Sequence, residues 1–145
     1  MKISETVTWA IQGGPALAAQ ASSLVQGRFV GLDSSGNVKL ADFLASAGPV
    51  VARGVLREDI QRKDPKGNVV NTDTRASYQY QGVVHDILDS NGATLEPGAT
   101  YYLSSGGMIT KTPPATTTDD LDQKVGWAKS ATELVIDIGT EVIHA

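Results

Sequence analysis

Gly27-Arg28-Phe29-Val30-Gly31-Leu32-Asp33-Ser34-Ser35-Gly36-Asn37-Val38 is echoed by Gly98-Ala99-Thr100-Tyr101-Tyr102-Leu103-Ser104-Ser105-Gly106-Gly107-Met108-Ile109. Arg28 to Leu32 predicts a strand, and Asp33-Ser34-Ser35-Gly36 a hairpin turn in which glycine supplies a positive φ. Asn37 to Leu40 is the return strand, with Val38 and Leu40 facing inward. In the second stretch Thr100 to Ser104 turns through Ser105-Gly106-Gly107 into Met108 to Thr112. Each stretch leads, a little under thirty residues after its first Gly, to a second signature: Arg53-Gly54-Val55-Leu56 and Val125-Gly126-Trp127-Ala128. These read as returning strands, and Val125 and Trp127 are expected to point inward. Few positions outside Gly, Leu and Ser are identical. An internal repeat and two similar but independent hairpins therefore both remain open.

The rest of the chain continues in short alternating pieces. Glu5 to Ile11 sets Val7, Trp9 and Ile11 on one face of a strand closed by Gly13-Gly14-Pro15. Ala16 to Val25 fits a short helix or a loose arm, and Ala41 to Ala47 one helical turn stopped by Gly48-Pro49. Val50 to Leu56 and Ser77 to Val84 read as strands, and Leu134, Ile136 and Ile138 share one face of another. Asp89-Ser90-Asn91-Gly92 is a tight turn. Arg57 to Arg75 is a charged insertion built around Asp64-Pro65-Lys66-Gly67-Asn68, a protruding hairpin or a long loop. The sum is nine or ten short antiparallel strands with little helix, hence an all-β chain forming a small β-sandwich or β-barrel. Residues 1–24 form an N-terminal strand and arm. Residues 25–145 form the β domain, with the insertion at 57–75.

Composition narrows the chemistry. The 145 residues are 41% apolar and 19% charged, with a formal net charge of −4 and no cysteine. A net negative chain with scattered Lys and Arg is not expected to bind nucleic acid. No stretch approaches the ~18 apolar residues of a membrane span, and Met1 to Glu5 does not read as a signal peptide. Without cysteine there is no disulfide, thiolate zinc site or Cys nucleophile. His85 and His144 lack metal-ligand spacing, and His85 and Asp86, being adjacent on a strand, point to opposite faces. Asp119-Asp120-Leu121-Asp122 lacks the pattern of a calcium loop and reads as a solvated linker. Gly13-Gly14 and Gly106-Gly107 lack the Lys-Ser/Thr of a phosphate loop. No catalytic group, cofactor or metal site is expected.

One run resembles a known family. Leu95-Glu96-Pro97-Gly98-Ala99-Thr100-Tyr101-Tyr102-Leu103-Ser104, then Gly106-Gly107-Met108-Ile109-Thr110, Pro113-Pro114, Val125-Gly126-Trp127-Ala128 and Leu134 to Ile138 is similar to a module of tailed-phage capsid decoration (cement) proteins. It also resembles modules appended to tail fibres. The insertion 57–75 stands outside the resemblance. The likeness implies a non-enzymatic virion protein on the capsid exterior, made in the host cytoplasm, binding the major capsid protein as a homotrimer. It also implies an arm across neighbouring subunits, here Met1 to Ala21, with Val7, Trp9, Ile11 and Leu17 as capsid or subunit contacts. For Trp9, simple core packing is the competing reading. The alternative function is a tail-fibre, baseplate or host-glycan adhesion module. A small enzyme or sugar-binding module would need converging carboxylates or stacked Tyr side chains in a cleft.

Overall fold

The computed structural model describes residues 10–143. In chain order the strands are β1 (Ala10–Pro15), β2 (Phe29–Leu32), β3 (Val38–Leu40), β4 (Gly54–Leu56), β5 (Gln61–Lys63), β6 (Val69–Thr72), β7 (Arg75–Gln79), β8 (Val83–His85), β9 (Thr100–Leu103), β10 (Ile109–Thr110), β11 (Leu121–Asp122), β12 (Lys124–Ala128), β13 (Glu133–Ile136) and β14 (Val142–Ile143). Three short 3-10 turns are the helical elements among the described residues. The first sheet runs β1-β7-β4-β2-β3 and the second β10-β9-β12-β13-β8, every pairing antiparallel. Two-stranded ribbons β5-β6 and β11-β14 complete the set. The fold is all-β.

The two large sheets are one design used twice. In each, a hairpin (β2-β3, β9-β10) is joined by a returning strand (β4, β12) and then by β7 or β13. The strand preceding the hairpin (β1 or β8) takes the far edge. The register matches as well as the order: Val30 lies opposite Gly54, and Tyr101 opposite Gly126. Leu56 opposes Tyr78 as Ala128 opposes Leu134. Gly27 N–H donates to Leu56 O at 3.0 Å, and Gly98 N–H to Ala128 O at 2.7 Å. Each sheet also curls until its two edges meet. Leu17 N–H reaches Val38 O at 2.9 Å in the first, and Ser90 N–H reaches Ile109 O at 2.8 Å in the second. Neither sheet closes into a barrel.

The core lies inside these two curls. Leu24, Val30, Val38, Leu56, Ile60, Ala76 and Tyr78 fill the first. Leu95, Tyr101, Leu103, Ile109, Ala128, Leu134 and Ile136 fill the second, where Phe29 and Val55 from the outer face of the first sheet join them. The units are thus packed like a sandwich, with the back of the first sheet set on the interior of the second. Polar ties fix this seam. The buried Gln123 side chain accepts from Ala52 N–H at 2.8 Å and donates back to Ala52 O at 3.1 Å. Leu121 N–H donates to Phe43 O at 2.8 Å, and Arg28 Nη1 to Gly106 O.

Several expectations shift. The first strand runs through Gly13-Gly14-Pro15 instead of ending there, because an irregularity between Gln12 and Pro15 absorbs them. Ser77 to Val84 is two strands in two different sheets, broken at Gly82 with φ 94°. Val50 to Leu56 shortens to β4, and Val50 instead bridges Asp42. Ala16 to Leu24 is a 3-10 turn and loop packed over the first core. Asp120 is no solvated linker: it is buried and accepts from the N–H groups of Ala45, Thr116 and Thr117. Among the described residues there are fourteen strands, many of two or three residues, where nine or ten were expected.

Candidate functional site

Three turns share one construction. Asp33, Asp64 and Asp89 each accept two backbone N–H bonds on a side-chain oxygen, from the residues two and four positions on. Each also accepts the N–H of a glycine on its own carbonyl. Gly36, Gly67 and Gly92 hold φ of 84°, 86° and 77°, a region open to glycine and costly for other residues. The Asn37 N–H holds the Asp33 carboxyl below its usual range, and the Asn68 N–H does the same for Asp64. These carboxylates are structural: their lone pairs are spent on the turns.

The surface with binding character is the outer face of the second sheet. Trp127 on β12 stands directly across from Thr100 on β9 and Val135 on β13, and Val135 across from Val83 on β8. This row crosses four strands with an indole 42% exposed at its centre. Tyr102 and Lys124 face each other at one end of it. Two polar contacts border the row: the ion pair of Lys124 Nζ with Asp137 at 2.9 Å, and His85 Nδ1 beside Glu133 at 3.2 Å. An apolar centre with a polar, partly hydrated rim is the anatomy of a protein contact surface. Tryptophan is the residue most often found at its energetic centre.

The direction of Trp127 corrects the sequence reading. Period-2 alternation would put Val125 and Trp127 on one face. The ladder slips between Lys124 and Gly126 against β9, so Val125 turns into the core while Trp127 points out. The hairpins repeat at an offset of 71 residues (Val38 to Ile109) and the glycines at 72 (Gly54 to Gly126).

Of the sequence-predicted contacts, Ile11 and Leu17 fall within the described residues. Val7 and Trp9 lie outside the described residues, as does His144. Ile11 is on β1, opposite Tyr78. Leu17 is half-buried and its N–H ties the edges of the first sheet. His85 pairs across the sheet with Glu133, while Asp86 leaves the strand at φ 58°. Asp86, Gln26 and Gly27 line two adjoining clefts of about 340 and 310 Å³. His85 and Arg57 line the first of these, and Asp89 the second. Among the described residues no group of three or more His, Cys, Asp or Glu side chains could hold a metal ion. Among the described residues no helix is long and apolar enough to cross a membrane. Of the four tyrosines, Tyr78 and Tyr101 are core residues, and the Tyr101 hydroxyl accepts the Glu96 N–H at 2.8 Å.

No protein-family model matches the chain, and no curated protein does. A solved chain from Mycobacterium phage Patience is similar in structure: TM-score 0.53, 10% sequence identity, 94% of each chain covered. At that identity the likeness is one of fold, and it extends over nearly the whole of both chains.

Proposed function

We propose that this chain is a non-enzymatic structural protein of a tailed-phage virion, one that binds the outer surface of the assembled capsid and stabilises it. The observation that carries the reading is the fold shared end to end with a chain from a mycobacteriophage. The geometry is compatible in kind. A duplicated β body tied by a buried polar seam is rigid, and its open sheet face offers the Trp127 row as an anchor for the major capsid protein. Stabilisation then follows by mass action. A protein that binds the assembled shell and not its separated subunits lowers the free energy of the shell alone. Three copies around a shell axis, the homotrimer, would multiply a modest contact by avidity.

The test uses empty expanded shells of the phage that encodes the protein. The protein should cosediment with them and raise their melting temperature, and Trp127→Ala should weaken binding at least about tenfold. Absence of cosedimentation at micromolar protein would end the proposal. An exposed indole beside Tyr102 and Glu133 is also what stacks on a sugar ring, which favours the adhesion module as the second reading. Binding to host-cell glycans, lost in Trp127→Ala, with no affinity for shells would select it.

A further inference from the structure

The insertion at 57–74 has no counterpart in the second unit, where β12 turns into β13 through residues 129–132. Only Ile60 reaches the core, so the fold does not depend on the ribbon β5-β6. We propose that this ribbon is a second contact between copies of the chain, separate from that of the trimer: the edge of β6 that is unpaired among the described residues pairs antiparallel with the same edge of another copy.

Every residue of β6 is exposed, Val69 by 48% and Val70 by 64%. Open strand edges invite pairing, and proteins guard them with charge, proline or bulges. The β5 edge is guarded: Gln61-Arg62-Lys63 carries two cations, and its ladder shifts between Arg62 and Lys63. The β6 edge, Val69-Val70-Asn71-Thr72, carries no charge and no proline. A two-stranded ribbon is marginal in water unless something braces it. Locally the Asp64 turn and the Arg62–Asp73 pair at 3.3 Å hold its two ends. The β6 edge itself is left for a partner strand.

Self-pairing suits this strand. The ribbon carries Lys66 at its tip and Asp73 at its base. Antiparallel alignment of two ribbons sets the tip of each beside the base of the other, so Lys66 approaches the partner's Asp73–Thr74 backbone region from both sides of the contact. Opposed residues in an antiparallel pair are both hydrogen-bonded or both not. A two-fold contact between identical strands therefore places one residue opposite itself. Centring the four residues of β6 makes that residue Val70 or its neighbour Asn71.

The absence of cysteine makes the test specific. Val70→Cys and Asn71→Cys are oxidised separately, with Thr118→Cys, exposed on the 111–120 connection, as the control. Opposed Cα atoms in such a pair are roughly 4.5–5.5 Å apart, within disulfide reach, so one of the two variants should give about tenfold more covalent dimer than the control. Excess unlabelled wild-type protein should suppress that dimer. Because β6 is exposed, both variants keep the fold, which circular dichroism verifies. Dimer yields at 70 and 71 no higher than at 118 would overturn the proposal. That result would leave shell binding, read by cosedimentation, untouched.

Discussion

The first and second β units have the same strand order, the same register and the same edge-joining hydrogen bonds, yet they treat one face oppositely. In the first, Phe29 and Val55 stand on the outer face of the sheet and are buried against the second unit. In the second, Thr100 and Trp127 occupy the equivalent places and meet solvent. Shared backbone geometry therefore sets where side chains stand, not what covers them. A face that serves as an internal seam in one unit is left open in the other, with a larger aromatic at its centre. The units differ also in their connection from the returning strand to the next, a charged ribbon in one and a four-residue turn in the other.

The strongest test of the equivalence is steric. A Cβ on Gly54 would come within 2.7 Å of Gln79 O, and one on Gly126 would run into Val135 O. Both are backbone atoms of the next strand, which cannot swing aside as a side chain would. Neither glycine has positive φ, so the cost of a substitution is the collision alone. Gly126→Ala should destabilise by about 3 kcal/mol or more and Gly54→Ala by about 2 kcal/mol. Urea unfolding measures both. If either substitution is neutral, the close strand approach that defines the repeat is absent in that unit.

Much of this was legible in the sequence. The hairpins announced themselves because their turns need particular residues: an Asp whose carboxylate takes up N–H groups, and a Gly where φ is positive. Alternation located the buried faces of β3 and β13 for the same reason, since strand geometry repeats every two residues. What failed was local. One bulge residue, Val125, inverted the reading of Trp127 and so hid the candidate surface. A single glycine, Gly82, divided an apparently continuous strand between two sheets. Asp120 looked solvated because its neighbours are polar. One of its partners, Ala45, lies far away in sequence. Turn chemistry is written locally, whereas bulges and long-range partners are not.

The opposite fates of Val55 and Trp127 make the second test. Val55 is 2% exposed in the seam and Trp127 is 42% exposed on the open face. Removing the smaller side chain should therefore cost more. Val55→Ala leaves a cavity and should lose roughly 2 kcal/mol, while Trp127→Ala should lose less than about 1 kcal/mol. A Trp127→Ala variant as destabilised as Val55→Ala would mean that the indole is a core residue, and the candidate surface would have to be sought elsewhere.

The smallest expected effect concerns the two equivalent hairpin turns. Asp33 N–H donates to Asn37 O at 3.0 Å, as Ser104 N–H donates to Met108 O at 2.8 Å, so the backbones correspond. Their acceptors differ: Asp33 titrates and Ser104 does not. Because the Asn37 N–H favours the ionised form, the Asp33 carboxyl titrates lower folded than unfolded. Its contribution to stability is therefore complete above the ordinary carboxylate range and is lost as pH falls through the folded pKa. Asp64 carries the same dependence in the ribbon. Amide protection around β2-β3 should fall relative to β9-β10 when pH is lowered from about 5 to about 2.5. Asp33→Ser, which gives the first turn the second's side chain, should abolish the difference. An equal loss of protection in both hairpins, with or without Asp33, would show that acid acts on the molecule as a whole and that the turn carboxylate contributes nothing of its own.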